Sequence, residues 1–184
     1  MKSLKAIVAG SVLLITVLFT QRVAAQHAPT GGIHWLSLEE ALEKCKTEPR
    51  KLLIDCYTDW CGWCKRMDAT TFSDSIIGEQ VNKYFYAVKL NAEQKEDILF
   101  KEKVYHFVPN GSRGYNEFAA TILQGQLSYP TIVYMDENQN VIQAIPGYQQ
   151  TNQLDPILIF FGSDYYKTNT WEMFLKEYKS PFGG

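Results

Sequence analysis

Leu52-Leu53-Ile54-Asp55-Cys56-Tyr57 runs, after Thr58 and Asp59, into Trp60-Cys61-Gly62-Trp63-Cys64-Lys65. The first six residues form a short apolar run, which fits a strand buried in a parallel sheet. The second six carry two cysteines and lead into helix-forming residues. Thiolate chemistry favours a cysteine pair at such a strand-to-helix junction. The helix's free N–H groups and dipole stabilise a negative sulfur and so lower the pKa of the first cysteine. Two intervening residues let the second sulfur reach the first, and a disulfide can then open and close within one helical turn. Cys61, nearer the helix start and solvent, is read as the nucleophile. Cys64, a turn deeper, is read as the thiol that resolves a mixed disulfide.

Two cysteines at this spacing have other uses. Half of a zinc site needs a second ligand pair, and only Cys45, Cys56 and three histidines remain. Neither cysteine forms a knuckle with the pair, because Cys56 belongs to the strand and Cys45 to a different helix. No histidine follows Cys64, which excludes c-type haem attachment. A purely structural disulfide stays open as an alternative to the redox reading. No metal and no soluble cofactor are expected.

Asp55 is a carboxylate inside an otherwise apolar strand, six residues before Cys61. Burial raises a carboxylic acid's pKa, so such a group can exchange a proton with a nearby thiol near neutral pH. It is the candidate base for Cys64; the alternative is a strand-end Asp facing solvent or capping a turn. Lys89, in Val88-Lys89-Leu90-Asn91, is a candidate neighbour that tunes it. Tyr129-Pro130-Thr131 opens a strand directly, where a Pro costs little because its missing N–H need not pair.

Around these residues the pattern alternates between strand and helix. Ser37 and Glu40 make a capping box before Leu38, Ala41, Leu42 and Cys45, which share one helical face. Ser73 is the expected cap of a helix to about Lys83, and Phe85 to Leu90 reads as a second strand. Glu93 to Val104 reads as a helix, Tyr105 to Gly114 as a loop, and Asn116 to Leu123 as a helix. Thr131 to Met135 and Val141 to Ile145 read as antiparallel strands around Asp136–Asn140. Helical patterns at about 153–161 and 171–178 close the chain. The result is an α/β fold with a mixed central sheet covered by helices on both faces.

Composition sets the frame. The 184 residues carry 18 Lys+Arg against 20 Asp+Glu, a net charge of −2, so no basic field for nucleic acid exists. Four cysteines are too few for a disulfide scaffold. Lys2 and Lys5 precede an apolar run from Ala6 to Phe19, and Val23-Ala24-Ala25 offers a cleavage site, the pattern of a signal peptide over residues 1–25. The run falls short of the roughly 20 residues that span a bilayer. Cleavage leaves one domain, 26–184, with residues 26–32 as a leader. It also removes three positive charges, taking −2 to about −5. Export, most simply to a periplasm, places the cysteines where disulfides persist.

Asp55 with Trp60-Cys61-Gly62-Trp63-Cys64-Lys65, then Val88-Lys89-Leu90-Asn91, Tyr129-Pro130-Thr131 and Pro146-Gly147-Tyr148, resembles the thioredoxin superfamily, in the right order. The segment from Asp59 through Asp74 is similar to exported bacterial thioredoxin-like proteins and to the C-terminal periplasmic domain of the electron transporter DsbD. The resemblance covers about Leu52 to Tyr148. It implies that Cys61 and Cys64 are a redox-active disulfide pair and that Asp55 is the buried acid, with Lys89 beside it. It implies further that Pro130 is a cis-proline, and that Trp60, Trp63, Tyr129 and Gly147 border the substrate groove. Trp63 departs from the common motif's proline, so the direction of electron flow is not inherited. The stretch from Asn91 to Pro130 is longer than in minimal members, an enlargement before the cis-proline strand.

The expected activity is thiol–disulfide exchange with protein substrates, with the reductase direction favoured. A membrane electron-transfer partner would then supply electrons, and no nucleic acid is involved. The alternatives are a redox-inactive binding module of the same fold and a scaffold merely stiffened by its disulfide. Cys45 and Cys56 read as core residues, with a bridge between them as the competing possibility. His27, His34 and His106 show no ligand spacing. Tyr105, Phe107, Tyr115 and Phe118 read as packing. Tyr165, Tyr166, Trp171 and Phe174 are expected to pack the last helix onto the sheet.

Overall fold

The computed structural model describes residues 32–183. Residues 1–25, read as a signal peptide, and the leader up to residue 31 lie outside the described residues.

A five-stranded mixed sheet forms the centre. Its core strand is β2 (Lys51–Tyr57), buried along nearly its whole length. On one side β2 pairs in parallel with β3 (Phe85–Asn91), which pairs in turn with β1 (Trp35–Leu36). On the other side β2 pairs antiparallel with β8 (Thr131–Met135), and β8 with the edge strand β9 (Val141–Pro146). β1 is absent from the sequence reading because two residues show no period.

Alternation along β2 divides the core. Leu52, Ile54 and Cys56 face α1 (Leu38–Thr47), packing with Leu38, Ala41 and Cys45. Leu53 faces α2 (Gly62–Thr70), α3 (Ser75–Tyr84) and α5 (Thr151–Gly162), packing with Met67, Ile77 and Leu154. One-residue alternation therefore puts Asp55 on the α2 side of the sheet and Cys56 on the α1 side.

The helix starts follow capping chemistry. Ser37 and Glu40 form the expected capping box at α1. The cap of α3 is Asp74, not Ser73: Asp74 Oδ1 accepts the N–H groups of Ile76 and Ile77 at 2.9 and 3.2 Å. A carboxylate that satisfies two free donors at the positive end of a helix outcompetes a hydroxyl, and such a cap is worth about 1 kcal/mol. Ser73 instead donates to the Ala69 and Thr70 carbonyls, closing α2.

The enlarged segment between β3 and β8 differs most from expectation. Residues 93–104 form no helix; they contain β4 (Ile98–Phe100) and β5 (Lys103–Tyr105), an antiparallel hairpin. Glu and Lys are good helix formers and suggested a helix. Burial runs at period two instead, with Ile98 and Phe100 inside and Leu99 outside. Lys101 and Glu102 both have positive φ, the requirement of a tight two-residue hairpin turn. The expected loop at 105–114 is a second hairpin of β6 (Phe107–Asn110) and β7 (Arg113–Asn116). Gly111 opens its turn at φ 61°. Gly114 is required by packing, because a Cβ there would stand 2.6 Å from the Val108 carbonyl oxygen as well as against the Phe107 ring. Pro109 is tolerated because the ribbon is only two strands wide.

α4 (Glu117–Ile122) fastens both hairpins to the α1 face. Its cap, Asn116, accepts the Phe118 N–H and donates to the Glu96 carbonyl, while the Asn116 N–H donates to Ala92. Phe118 is fully buried between the rings of Phe100 and Tyr105, at 4.9 and 5.4 Å. At the C-terminus, Phe174 of α6 (Trp171–Glu177) stacks on Phe160 of α5 rather than on the sheet, since α5 already covers that face. Buried Asp155 holds the layers together by accepting from Gln80 Nε2 and the Tyr178 hydroxyl.

Candidate functional site

β2 ends at Tyr57, a turn closes with the Cys61 N–H donating to the Thr58 carbonyl, and Cys61 becomes the N-cap of α2. The Cys61 sulfur accepts the backbone N–H of Cys64 at 3.1 Å, the role a Ser or Asp oxygen plays at an ordinary cap. The helix thus offers an N–H to whatever negative charge this sulfur carries. Cys61 and Cys64 are joined in a disulfide with Cα atoms 5.3 Å apart. Cys61 is at the helix start as expected. It is scarcely nearer solvent than Cys64, at 4% against 2% exposure, because its sulfur is turned onto the helix end. Gly62 leaves the surface beside the pair open, and a Cβ there would meet nothing within 4 Å.

The disulfide is bordered by two exposed aromatic groups. Trp60 is 50% exposed and meets Tyr129 edge-on at 6.1 Å, with the Arg113 guanidinium 4.2 Å over its ring. Trp63 is 57% exposed and lies 5.4 Å from Tyr148, with Arg66 over both rings. The Tyr148 hydroxyl is hydrogen-bonded to Thr70, which, with Arg66, holds that phenol below its usual pKa.

The Tyr129–Pro130 peptide bond is cis, as the resemblance implied. The Pro130 carbonyl accepts the Gly147 N–H at 2.8 Å, and Gly147 sits at φ 99°, so the two residues meet at one rim. Tyr129 makes no backbone hydrogen bond among the described residues. Burial pushes its phenol up to about 12.

Asp55 is 1% exposed, which removes the solvent-facing alternative. Lys89, directly across the β2–β3 ladder, donates to Asp55 Oδ2 at 2.7 Å and also reaches Asp68 of α2. Asp55 Oδ1 has no hydrogen-bond partner among the described residues. Burial outweighs Lys89, so the carboxyl group is held above the ordinary range. The Lys89 ammonium is held up in turn by Asp55 and Asp68, and it rests over the rings of Trp35, Tyr57 and Phe72. Asp55 shares a sheet face with Leu53, which packs with Met67 one turn beyond Cys64.

Cys45 and Cys56 are free thiols buried in the core on the α1 side. Burial raises the Cys56 pKa well above its usual value, so it stays a thiol. Among the described residues, no group of three or more His, Cys, Asp or Glu side chains is placed to hold a metal. No helix among them is long and apolar enough to cross a membrane.

Three residues of this neighbourhood escaped the sequence reading. Asp68 stands one turn after Cys64 and Arg66 three residues after Trp63, both legible as helical neighbours. Arg113 carries no such signal, because it reaches Trp60 only through a hairpin whose sequence reads as a loop.

The thioredoxin-like domain profile matches residues 38–162. The chain is similar to a thioredoxin-fold protein from Helicobacter pylori, with TM-score 0.54 and 19% identity over 78% of this chain and 82% of that one. It is also similar to a candidate disulphide-isomerase from Bacteroides thetaiotaomicron, with TM-score 0.50 and 25% identity over 70% and 93% of the two chains. Thiol:disulfide interchange protein DsbD of Pectobacterium atrosepticum is 27% identical over 135 residues, 72% of this chain and 18% of that protein. Spermatogenesis-associated protein 20 of Rattus norvegicus is 29% identical over 79 residues, 43% of this chain and 9% of that protein. The chain spans about a fifth or less of the curated relatives it matches. The matched span opens with α1, closes with the last residue of α5 and carries the disulfide at its first strand-to-helix junction: the chain belongs to the thioredoxin-like domain family.

Proposed function

We propose that this protein is a thiol–disulfide oxidoreductase acting on protein disulfides, with Cys61 as nucleophile and Cys64 as resolving thiol. The observation that carries the reading is the Cys61 sulfur at the N-cap of α2, accepting the Cys64 N–H. In the reducing direction the Cys61 thiolate attacks one client sulfur; the client's S–S bond breaks, and the leaving sulfur takes a proton. Asp55 accepts the Cys64 proton. The Cys64 thiolate then attacks the Cys61 sulfur, the Cys61–client S–S bond breaks, and the expelled client thiolate takes the proton held by Asp55. Two electrons have passed to the client, with one proton from Cys64 by way of Asp55 and the other from water, and a dithiol donor restores the pair. Tyr129, its backbone unpaired among the described residues, and Gly147 frame a rim where an extended client can pair, with Trp60 and Trp63 as apolar contacts.

The protein is further proposed to be exported to a periplasm with residues 1–25 removed as a signal peptide, the mature chain being one domain, 26–184. Similarity to a thiol:disulfide interchange protein supports this location and a membrane electron donor. The reducing direction is our preferred one. The deciding measurement is the reduction potential of Cys61–Cys64. A value near about −270 mV supports a reductase, and one near about −120 mV a disulfide donor. A pair that equilibrates with neither buffer overturns the redox reading in favour of a binding module, which the exposed Trp60 and Trp63 would serve.

Asp55→Asn tests the proton step. Its raised native pKa means that Asp55 contributes stability fully below its unfolded value, near 3.8, and loses it as pH rises through the native value. The variant is therefore expected to be more stable than wild type at pH 7, with the gap closing on acidification. Loss of the acceptor should slow resolution by roughly tenfold to a hundredfold at pH 7 and remove one inflection from its pH profile. Stopped-flow resolution rates and urea midpoints across pH check both parts. An unchanged profile would remove Asp55 from the mechanism.

A further inference from the structure

The inserted hairpin delivers a cation to the redox site. Arg113, at the end of its two-residue turn, lies 4.2 Å over Trp60, while Arg66 of α2 lies over Trp63. Each guanidinium rests on an exposed aromatic face next to the disulfide, and neither is in an ion pair among the described residues. Lys65 adds a third positive charge in the same turn of α2 as Arg66. Two carboxylates share the neighbourhood, Asp59 beside Trp60 and Glu93, whose charge is felt at Tyr129; neither is ion-paired to Arg66 or Arg113. Asp68 is engaged by Lys89. A chain of net charge −2 therefore presents a local cationic rim around its disulfide.

We propose that Arg113 and Arg66 make this rim a selector for client segments carrying Asp or Glu beside the reacting cysteine, with Arg113 the principal selectivity residue. The Arg113 guanidinium carbon lies 4.2 Å over the indole and the side chain makes no hydrogen bond among the described residues, so its N–H donors can meet a carboxylate, whereas Arg66 is shared with the Tyr148 hydroxyl. The client's apolar neighbours rest on the exposed tryptophans, and its acid is met at the rim. An exposed charge pair of this kind sets rate and preference more than overall affinity. The proposal rests on the oxidoreductase reading above and adds the chemistry of its substrate.

The test uses two disulfide peptides identical except for Glu or Gln on either side of the cysteine. The mature protein, reduced with dithiothreitol and freed of it, transfers two electrons to each peptide, which gains two protons, and the ratio of the two second-order rates is read. Wild type is expected to favour the Glu peptide roughly three- to fivefold per carboxylate at low salt, with the ratio shrinking as salt rises. Arg113→Gln should bring the ratio toward one, and Arg113→Lys should retain most of it. A merely structural role for Arg113 would change both rates together and leave the ratio, overturning the proposal, as would a wild-type ratio of one. If neither peptide nor a small aromatic disulfide reacts, the redox reading has failed separately. Binding of the Cys→Ser peptides to the oxidised protein, followed by tryptophan fluorescence, then decides alone: a Glu preference lost in Arg113→Gln supports the rim, and equal binding overturns it.

Discussion

Cys61→Ser is expected to abolish disulfide exchange, a loss of roughly a thousandfold or more, because the hydroxyl at that N-cap is not ionised at neutral pH and cannot attack a disulfide. Cys64→Ser should behave differently. Its Cys61 still attacks, but nothing inside the protein expels the product, so a stoichiometric mixed disulfide accumulates. Intact-mass spectrometry under non-reducing conditions reads the adduct directly. Full activity in the Cys61 variant would defeat the mechanism. An adduct on the Cys61→Ser variant, carried by Cys64, would reverse the two roles. The fold should survive both changes, because α2 is also held by Met67, fully buried on the sheet face.

Phe118→Ala carries the second large effect, on stability. Phe118 is fully buried between Phe100 and Tyr105, one from each strand of the β4–β5 hairpin, and sits in the first turn of α4. Truncating a ring in such a place removes its apolar contacts and leaves a cavity, for a cost of about 3–5 kcal/mol. Urea denaturation of the oxidised protein checks it, and a loss below about 1 kcal/mol would mean that the inserted hairpins are not part of the cooperative core. The same substitution should loosen the β6–β7 ribbon, since its last residue, Asn116, caps the helix that Phe118 anchors. A weaker client preference is then expected without any change at Arg113 itself.

The part of the fold that the sequence made legible is the part in which one physical signal dominates. β2 is almost continuously apolar because both its faces are covered, and the two cysteines follow at the one junction where a helix end can serve a sulfur. Asp55 stood out as the charge inside that run, and its pairing with Lys89 followed from strand order. The insertion was opaque because two signals conflict there. Residues 93–104 are rich in helix formers, yet Ile98 and Phe100 are drawn to one side of a short ribbon by burial, and Lys101 and Glu102 accept positive φ without glycine. Propensity is a weak prior, and tertiary burial overrode it. Arg113 was lost with the hairpin that carries it. Asp74 prevails over Ser73 for a smaller reason: one carboxylate oxygen accepts two N–H groups at the start of the helix.

The two buried free thiols make the chain its own reporter of opening. Cys56 is completely enclosed in the middle of the sheet, so a thiol reagent meets it only when β2 leaves its neighbours. Cys45 lines a cavity of about 430 Å³ beside Leu42 and Leu99, and meets reagent once α1 and the β4–β5 hairpin part. In the oxidised protein, with Cys61 and Cys64 already tied together, the labelling rates of these two positions read two different events on one molecule. Cys45 measures local breathing of the α1 face, and Cys56 measures global unfolding.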